Sequence, residues 1–272
     1  MIKLVLDSCV SIDENFIIEN DIKIAKFNLL IGTEQIEEPV FPNYFEVYEK
    51  LVANKGIAKT SQPSVEEYTK IFTEILNNGD EIICLTMASR LSGSYNCAEM
   101  VAKQLNSDKI SVIDSHTLIQ GMKILTEIIV EEIKSGKSRE EVVEKIKEER
   151  EKIVIEFIPP SLEPLKRGGR IGKVSALIGS VLNIKPILRF KDNVLTCVKK
   201  VMGFPKAIAS MVNSIPENVK KLYLIYVHKK DFLLPLKTAL TKKFNKNFNE
   251  ENISSTVGIH VGVGCVGVTY NF

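Results

Sequence analysis

Two short hydroxyl-rich turns carry the residues best suited to hold an anion. The first is Thr60-Ser61-Gln62-Pro63-Ser64, ahead of the periodic stretch SVEEYTKIFTEIL. The second is Ser89-Arg90-Leu91-Ser92-Gly93-Ser94, between EIICLTMA and YNCAEMVAKQL. A helix start leaves backbone N–H groups unpaired and carries partial positive charge, so hydroxyls there make a seat for a carboxylate or phosphate. Serine and threonine are also the favoured N-caps. Each turn alone reads as ordinary capping. Two such turns, with more hydroxyls than caps require, bring the anion-site reading level with it. The stretch KRGGRIGK, Lys166 to Lys173, puts four cations within eight residues. It reads as a basic, glycine-ended helix terminus, or as a loop for a phosphate or a partner's acidic surface.

Other reactive residues are fewer. Asp7-Ser8 and Asp114-Ser115 both follow apolar runs. Each is a candidate carboxylate for a phosphotransferase or hydrolase, and each is also an ordinary strand-ending turn. No Walker A motif, acidic metal-binding spacing or H-E-x-x-H motif accompanies them, so no metal site is expected. The chain ends in HVGVGCVGVTYNF, whose Gly262, Gly264 and Gly267 spell G-x-G-x-x-G. Only five residues follow Gly267, too few for the helix and acidic ribose contact of a dinucleotide site. His260 precedes these glycines on what reads as a strand, VGIHVGVG.

The elements that must position these residues follow an α/β pattern. IKLVL, EIICLTMAS and KISVID read as buried strands. Between and after them, SVEEYTKIFTEILNNGD, SGSYNCAEMVAKQL, GMKILTEIIVEEIKSG and SREEVVEKIKEEREK read as helices. Ser64 and Glu67 have capping-box spacing. A strand pair is expected around Gly32, and EEPVFPNYFEVYEKL reads as a turn entering a helix. Alternating strands and helices predict a mainly parallel sheet. The character changes near residue 153. KIVIEFI begins a second α/β unit, with VSALIGSVLNIKPIL as a buried helix, strands at NVLTCVKKV and KKLYLIYV, helices from Pro205 and over about 232–244, and the terminal stretch ISSTVGIHVGVGCVGVTY. The expected division is 1–152 and 153–272.

Composition restricts the possibilities. The 272 residues carry 36 basic and 34 acidic side chains, a net charge of +2, which gives no argument for a nucleic-acid partner. Five cysteines without C-x-x-C spacing read as free thiols in a reducing cytoplasm. MIKLVLDSCV is too short an apolar run for a signal peptide, and no stretch approaches the roughly 18 apolar residues of a membrane span.

Five blocks in order, TSQPS, LSGSYNCA, VIDSHT, LEPLKRGGRIG and NIKPIL, with LVLDSCVSI before them and the terminal H-x-G-x-G-x-x-G after, resemble the DegV family of bacterial lipid-binding proteins. The resemblance covers almost the whole chain. It implies two α/β domains holding one long-chain fatty acid, such as palmitate, in an apolar tunnel between them. It further implies a non-catalytic carrier subunit of bacterial fatty acid kinase: a separate ATP-dependent kinase phosphorylates the bound carboxylate for phospholipid synthesis. The family's carboxylate hydroxyls map to Thr60 and Ser92, and the expected head-group set is Thr60, Ser61, Ser92, Gly93 and His260. Arg167, Gly168, Gly169 and Arg170 are the expected contacts to the kinase or to phosphate. The fatty acid is the ligand; no cofactor is implied. These hydroxyls would supply donors without a fixed counter-charge, and Val174–Leu182 would wall the tunnel. Three positions depart from the family pattern. Met202 stands where members often carry arginine, Val263 where they often carry proline, and Ile119 where a small residue is usual. Met202 keeps open a lipid-sensing regulator that engages no kinase.

Overall fold

In the computed structural model, residues 1–39, 44–177 and 183–272 are described. The first strand, β1 (Ile2–Asp7), is apolar almost throughout and becomes fully buried towards Asp7. A run buried on both faces suits the middle of a parallel sheet. After α1 (Glu14–Glu19), β2 (Lys23–Ala25) pairs parallel with β1. Then β3 (Asn28–Ile31) and β4 (Glu34–Glu37) form the hairpin expected around Gly32. α2 (Phe45–Ala53) leads to β5 (Ala58–Ser61), which pairs antiparallel with β3 and sets Thr60 opposite Leu29. This small sheet has the order β4-β3-β5.

Helix α3 (Val65–Asn77) buries Tyr68, Phe72 and Ile75 along one face. β6 (Glu81–Thr86), α4 (Ser94–Leu105), β7 (Ile110–Asp114), α5 (Gln120–Lys134) and α6 (Arg139–Glu149) follow. β6 and β7 complete an all-parallel sheet of order β2-β1-β6-β7. Its carboxyl ends deliver both Asp7 and the 89–94 turn to one edge.

A 3-10 turn at Arg150–Lys152 precedes β8 (Ile153–Ile158). Beyond it lie α7 (Glu163–Arg167), β9 (Ile184–Lys191), β10 (Val194–Met202), α8 (Phe204–Ser214), β11 (Lys221–Tyr226), α9 (Leu233–Phe244), β12 (Glu250–Asn252), α10 (Ser255–Val261) and β13 (Val266–Asn271). The strands form one mixed sheet, β10-β9-β8-β13-β11-β12. Among the described residues no strand before residue 153 pairs with one after it. A single apolar core nevertheless spans both sets: Leu6, Leu85 and Ile119 belong with Ile155, Phe157 and Cys265. No helix among the described residues is long and apolar enough to cross a membrane. All five cysteines are free, four of them buried.

Three local expectations need correction. The stretch VSALIGSVLNIKPIL is not one helix: Gly172–Leu177 is a 3-10 segment, β9 begins at Ile184, and residues 178–182, most of the expected tunnel wall, lie outside the described residues. Asn183 takes a positive φ of 76° between them, which no continuous helix permits. The capping box at α3 is half formed. Ser64 Oγ accepts from Glu67 N, but the Glu67 carboxylate accepts from Lys26 N at 2.6 Å. The terminal stretch is not a continuous strand either. Residues 255–261 form α10, and Gly262 and Gly264, at φ 92° and 90°, turn the chain back into β13.

The third glycine of that motif serves the sheet. Gly267 pairs with Phe157, and a Cβ on it would lie 2.4 Å from the Glu156 carbonyl oxygen and 2.7 Å from Phe157 Cβ. Backbone cannot swing aside as a flexible side chain does, so Gly267→Ala must part the β8–β13 ladder. We expect it to lower stability by about 3 kcal/mol, read as a fall in thermal midpoint. An unchanged midpoint would show that the ladder yields freely.

Candidate functional site

A cavity of about 260 Å³ opens between the two sets of sheets. The first half lines it with Phe27, Met87, Leu91, Leu118 and Ile119; the second with Ile155, Phe157, Phe190, Leu195, Ile225, Val257 and Val261. Its polar lining consists of Thr60, Ser61, Gln62, Ser92, Arg170, Thr256 and His260, with Gly93 beside them. All five residues of the expected head-group set therefore border one space. Of the expected tunnel-wall residues that are described, Val174–Leu177, none lines it.

Each polar residue has a local reason for its position. Thr60 lies on β5, and its Oγ1 is hydrogen-bonded to His260 Nε2 at 2.9 Å across 200 residues of chain. Ser92 Oγ accepts from Ser94 N at 3.2 Å, which folds the turn at the start of α4. Its own proton stays available to another acceptor. Gly93 is closely packed, since a Cβ there would stand 2.0 Å from Gln62 Oε1. Asp7 holds this turn from behind. Its buried carboxylate accepts from Met87 N at 2.8 Å and Ser94 Oγ at 2.7 Å. Burial pushes Asp7 up to about 6, against those hydrogen bonds.

His260 stands in the last turn of α10. Burial, with Arg170 and Arg167 nearby, pushes its imidazole down to about 4, so the ring is neutral. The main chain of the basic loop closes over it: a Cβ on Gly168 would lie 2.1 Å from His260 Nδ1. Arg170 Nε donates to Leu91 O at 3.1 Å, tying the loop to the 89–94 turn, and Nη1 donates to Gly168 O. Arg167 Nη2 donates to Gly56 O. Both guanidinium groups thus have partners inside the molecule, and α7 ends as the helix-terminus reading expected, with Gly168 as C-cap. Arg170 also lines the cavity. The expectation of hydroxyl donors without a fixed counter-charge is therefore corrected: a permanent cation stands at this end.

Neither candidate catalytic carboxylate borders the cavity. Asp114 is engaged by Ser89 N at 3.1 Å and Asn193 Nδ2 at 3.2 Å, which ties the first half to the β9–β10 turn. Among the described residues no cluster of His, Cys, Asp and Glu is placed to hold a metal. Arg170, Gln62 and Thr256 were missed as cavity residues. The hydroxyl run Ser254-Ser255-Thr256 is as visible in the sequence as TSQPS, but it carries no helix signal when VGIHVGVG after it reads as a strand.

Comparison with known proteins settles the family. The DegV family model matches residues 1–272. The chain belongs to the DegV family. A DegV domain-containing protein of Clostridium acetobutylicum is 31% identical over 278 residues, covering 99% of this chain and 97% of the relative. A fatty-acid-binding DegV family protein of Streptococcus agalactiae superposes with a TM-score of 0.90 at 23% identity, over 100% of this chain and 98% of that one. DegV of Bacillus subtilis, a fatty-acid-binding protein, gives 0.87 at 24% identity, over 100% and 99%. At such identities the superpositions establish the fold, two α/β domains in each case. The five DegV motif blocks also take defined places here. TSQPS, LSGSYNCA and LEPLKRGGRIG meet at the cavity, VIDSHT ends beside it, and NIKPIL begins β9.

Proposed function

We propose that this DegV family member holds one long-chain fatty acid, such as palmitate, in the cavity between its two domains, divided at residue 153, and presents the carboxylate to a separate ATP-dependent kinase. The observation that carries the reading is the cavity's composition: aromatic and aliphatic walls drawn from both halves, with hydroxyls, a neutral imidazole and one arginine. Burying each methylene contributes about 0.8 kcal/mol, so the chain dominates affinity. A buried carboxylate needs several donors or a cation. Ser92 donates directly. A carboxylate only accepts, so it selects the tautomer in which His260 Nε2–H donates to Thr60 Oγ1 and frees the Thr60 proton for the ligand. Arg170 offsets the charge. The loop of Arg167, Gly168, Gly169 and Arg170, of which Arg170 lines the cavity and Gly168 packs on His260, is in this reading the surface offered to the kinase. In this reading the chain is a carrier; the transfer chemistry belongs to the partner.

The test is direct. The purified protein is extracted with organic solvent, lipids are identified by mass spectrometry, and the delipidated protein is titrated with palmitate. We expect stoichiometric fatty acid or its rebinding, and acyl-phosphate when the cognate kinase and ATP are added. No lipid and no rebinding would end the reading. Met202, 62% exposed at the end of β10, supports a lipid-sensing regulator instead. Retention of lipid with no kinase in a pull-down would favour that second reading.

A further inference from the structure

Glu38 directly follows β4 in the first half and is fully buried. Its backbone N–H donates to Phe27 O at 2.8 Å, and among the described residues the partners of its carboxylate lie in the second half, at the start of α10. Ser254 Oγ donates to Oε1 at 3.0 Å and Ser255 Oγ to Oε1 at 2.7 Å. Thr256 N donates to Oε2 at 2.9 Å and to Oε1 at 3.2 Å, and Thr256 Oγ1 donates to Oε2. No lysine or arginine among the described residues pairs with this carboxylate. Tyr48 adds a second clamp: its OH donates to Ile253 O at 2.8 Å, and a Cβ on Gly258 would stand 2.0 Å from the Tyr48 hydroxyl oxygen. The helix so held has seven residues. A helix that short is not stable alone, so its position is set by what grips it. Along it, Thr256, Val257, His260 and Val261 all line the cavity.

We propose that Glu38 is the positioning residue of the lipid site: its carboxylate carries the register of the first half across to α10 and so fixes where Thr256 and His260 stand. The proposal rests on the reading of the cavity as a fatty-acid site. Its physical basis is the set of donors at the helix start. The Thr256 N–H cannot rotate away, and a glutamine amide turned towards it would oppose donor to donor. The Thr256 N–H contacts both oxygens, so Glu38→Gln sets an NH2 group beside it in either orientation; the start of α10 is expected to shift, and movement there is passed along the helix to the 2.9 Å bond between Thr60 and His260.

The experiment titrates the histidine rings of the full chain by NMR, in the natural protein, Glu38→Gln and Glu38→Asp, and measures palmitate affinity in each. In the natural protein His260 is expected to titrate near 4, pushed down by burial and by Arg170 and Arg167. In Glu38→Gln its midpoint is expected to rise by roughly one unit or more, towards the ordinary value of about 6.5, while palmitate binding weakens about tenfold. Glu38→Asp keeps the acceptor and is expected to lie between. A general loss of stability would leave His260 in the folded molecules unmoved. Coincident His260 titrations in the natural protein and Glu38→Gln overturn the proposal. If the natural protein binds no palmitate, the lipid reading fails, and the His260 midpoint still decides the role of Glu38. If Glu38→Gln does not fold, Ser255→Ala, which removes one bond to Oε1, replaces it: an upward shift supports the proposal, and no shift overturns it.

Discussion

Replacing Thr60 and Ser92 together by alanine is expected to raise the dissociation constant for palmitate about a hundredfold and to stop acyl-phosphate formation by the cognate kinase. Both hydroxyls keep a proton for the ligand, because Ser92 Oγ accepts from Ser94 N and Thr60 Oγ1 is paired with His260 Nε2. A hydrogen bond to a charged group contributes about 1.5–3 kcal/mol, and each 1.4 kcal/mol is roughly tenfold. Two lost bonds therefore give about two decades at the lower end. The acyl chain still contributes about 0.8 kcal/mol per methylene, so weakened binding survives. Under the proposed carrier role transfer does not, because it would depend on the carboxylate being held in one orientation for attack on ATP. Titration calorimetry and acyl-phosphate detection read the two effects separately. Wild-type affinity and wild-type phosphorylation in the double variant would remove both residues from their assigned roles.

The parts of this architecture that were legible share one property: their determinants are close in sequence. Helix α3 carries its apolar face, its Ser64 cap and its Asn78-Gly79 stop within one stretch. β6 and β7 are uniform enough to be read directly. The parts that were not legible depend on distant partners. α10 looks like a strand because VGIHVGVG alternates and is rich in β-branched residues and glycine. It is a helix because Glu38, 216 residues before Ser254, satisfies its first donors. Glu67 has capping-box spacing, yet Lys26 N, 41 residues away, engages its carboxylate. The candidate site divides along the same line. Local turn chemistry marks the two turns that carry Thr60 and Ser92, and the DegV resemblance singles out those two residues. That Arg170 belongs to the cavity follows from its bond to Leu91 O, 79 residues distant, which no spacing rule contains.

Gly168→Ala separates stability from binding, and Gly169→Ala is its counterpart. Gly168 has φ −75° and ψ −9°, a conformation alanine adopts freely. The strain comes from space: the added methyl would stand 2.1 Å from His260 Nδ1 and 2.8 Å from Cε1. The imidazole must move, and moving it breaks the bond that holds Thr60 Oγ1 for the ligand. We expect palmitate affinity to fall about tenfold or more while the fold persists. Gly169 is the reverse case. Its φ is +73° with no atom within 4 Å of a built Cβ, so alanine there costs about 1 kcal/mol of backbone strain and leaves His260 untouched. Thermal melts should therefore rank Gly169→Ala as the variant weakened by its own backbone, while palmitate titrations should rank Gly168→Ala as the weaker binder. If Gly168→Ala binds palmitate as the natural protein does, His260 does not stand at the head-group end of the cavity, and the carboxylate must be sought among Gln62, Ser92 and Thr256 instead.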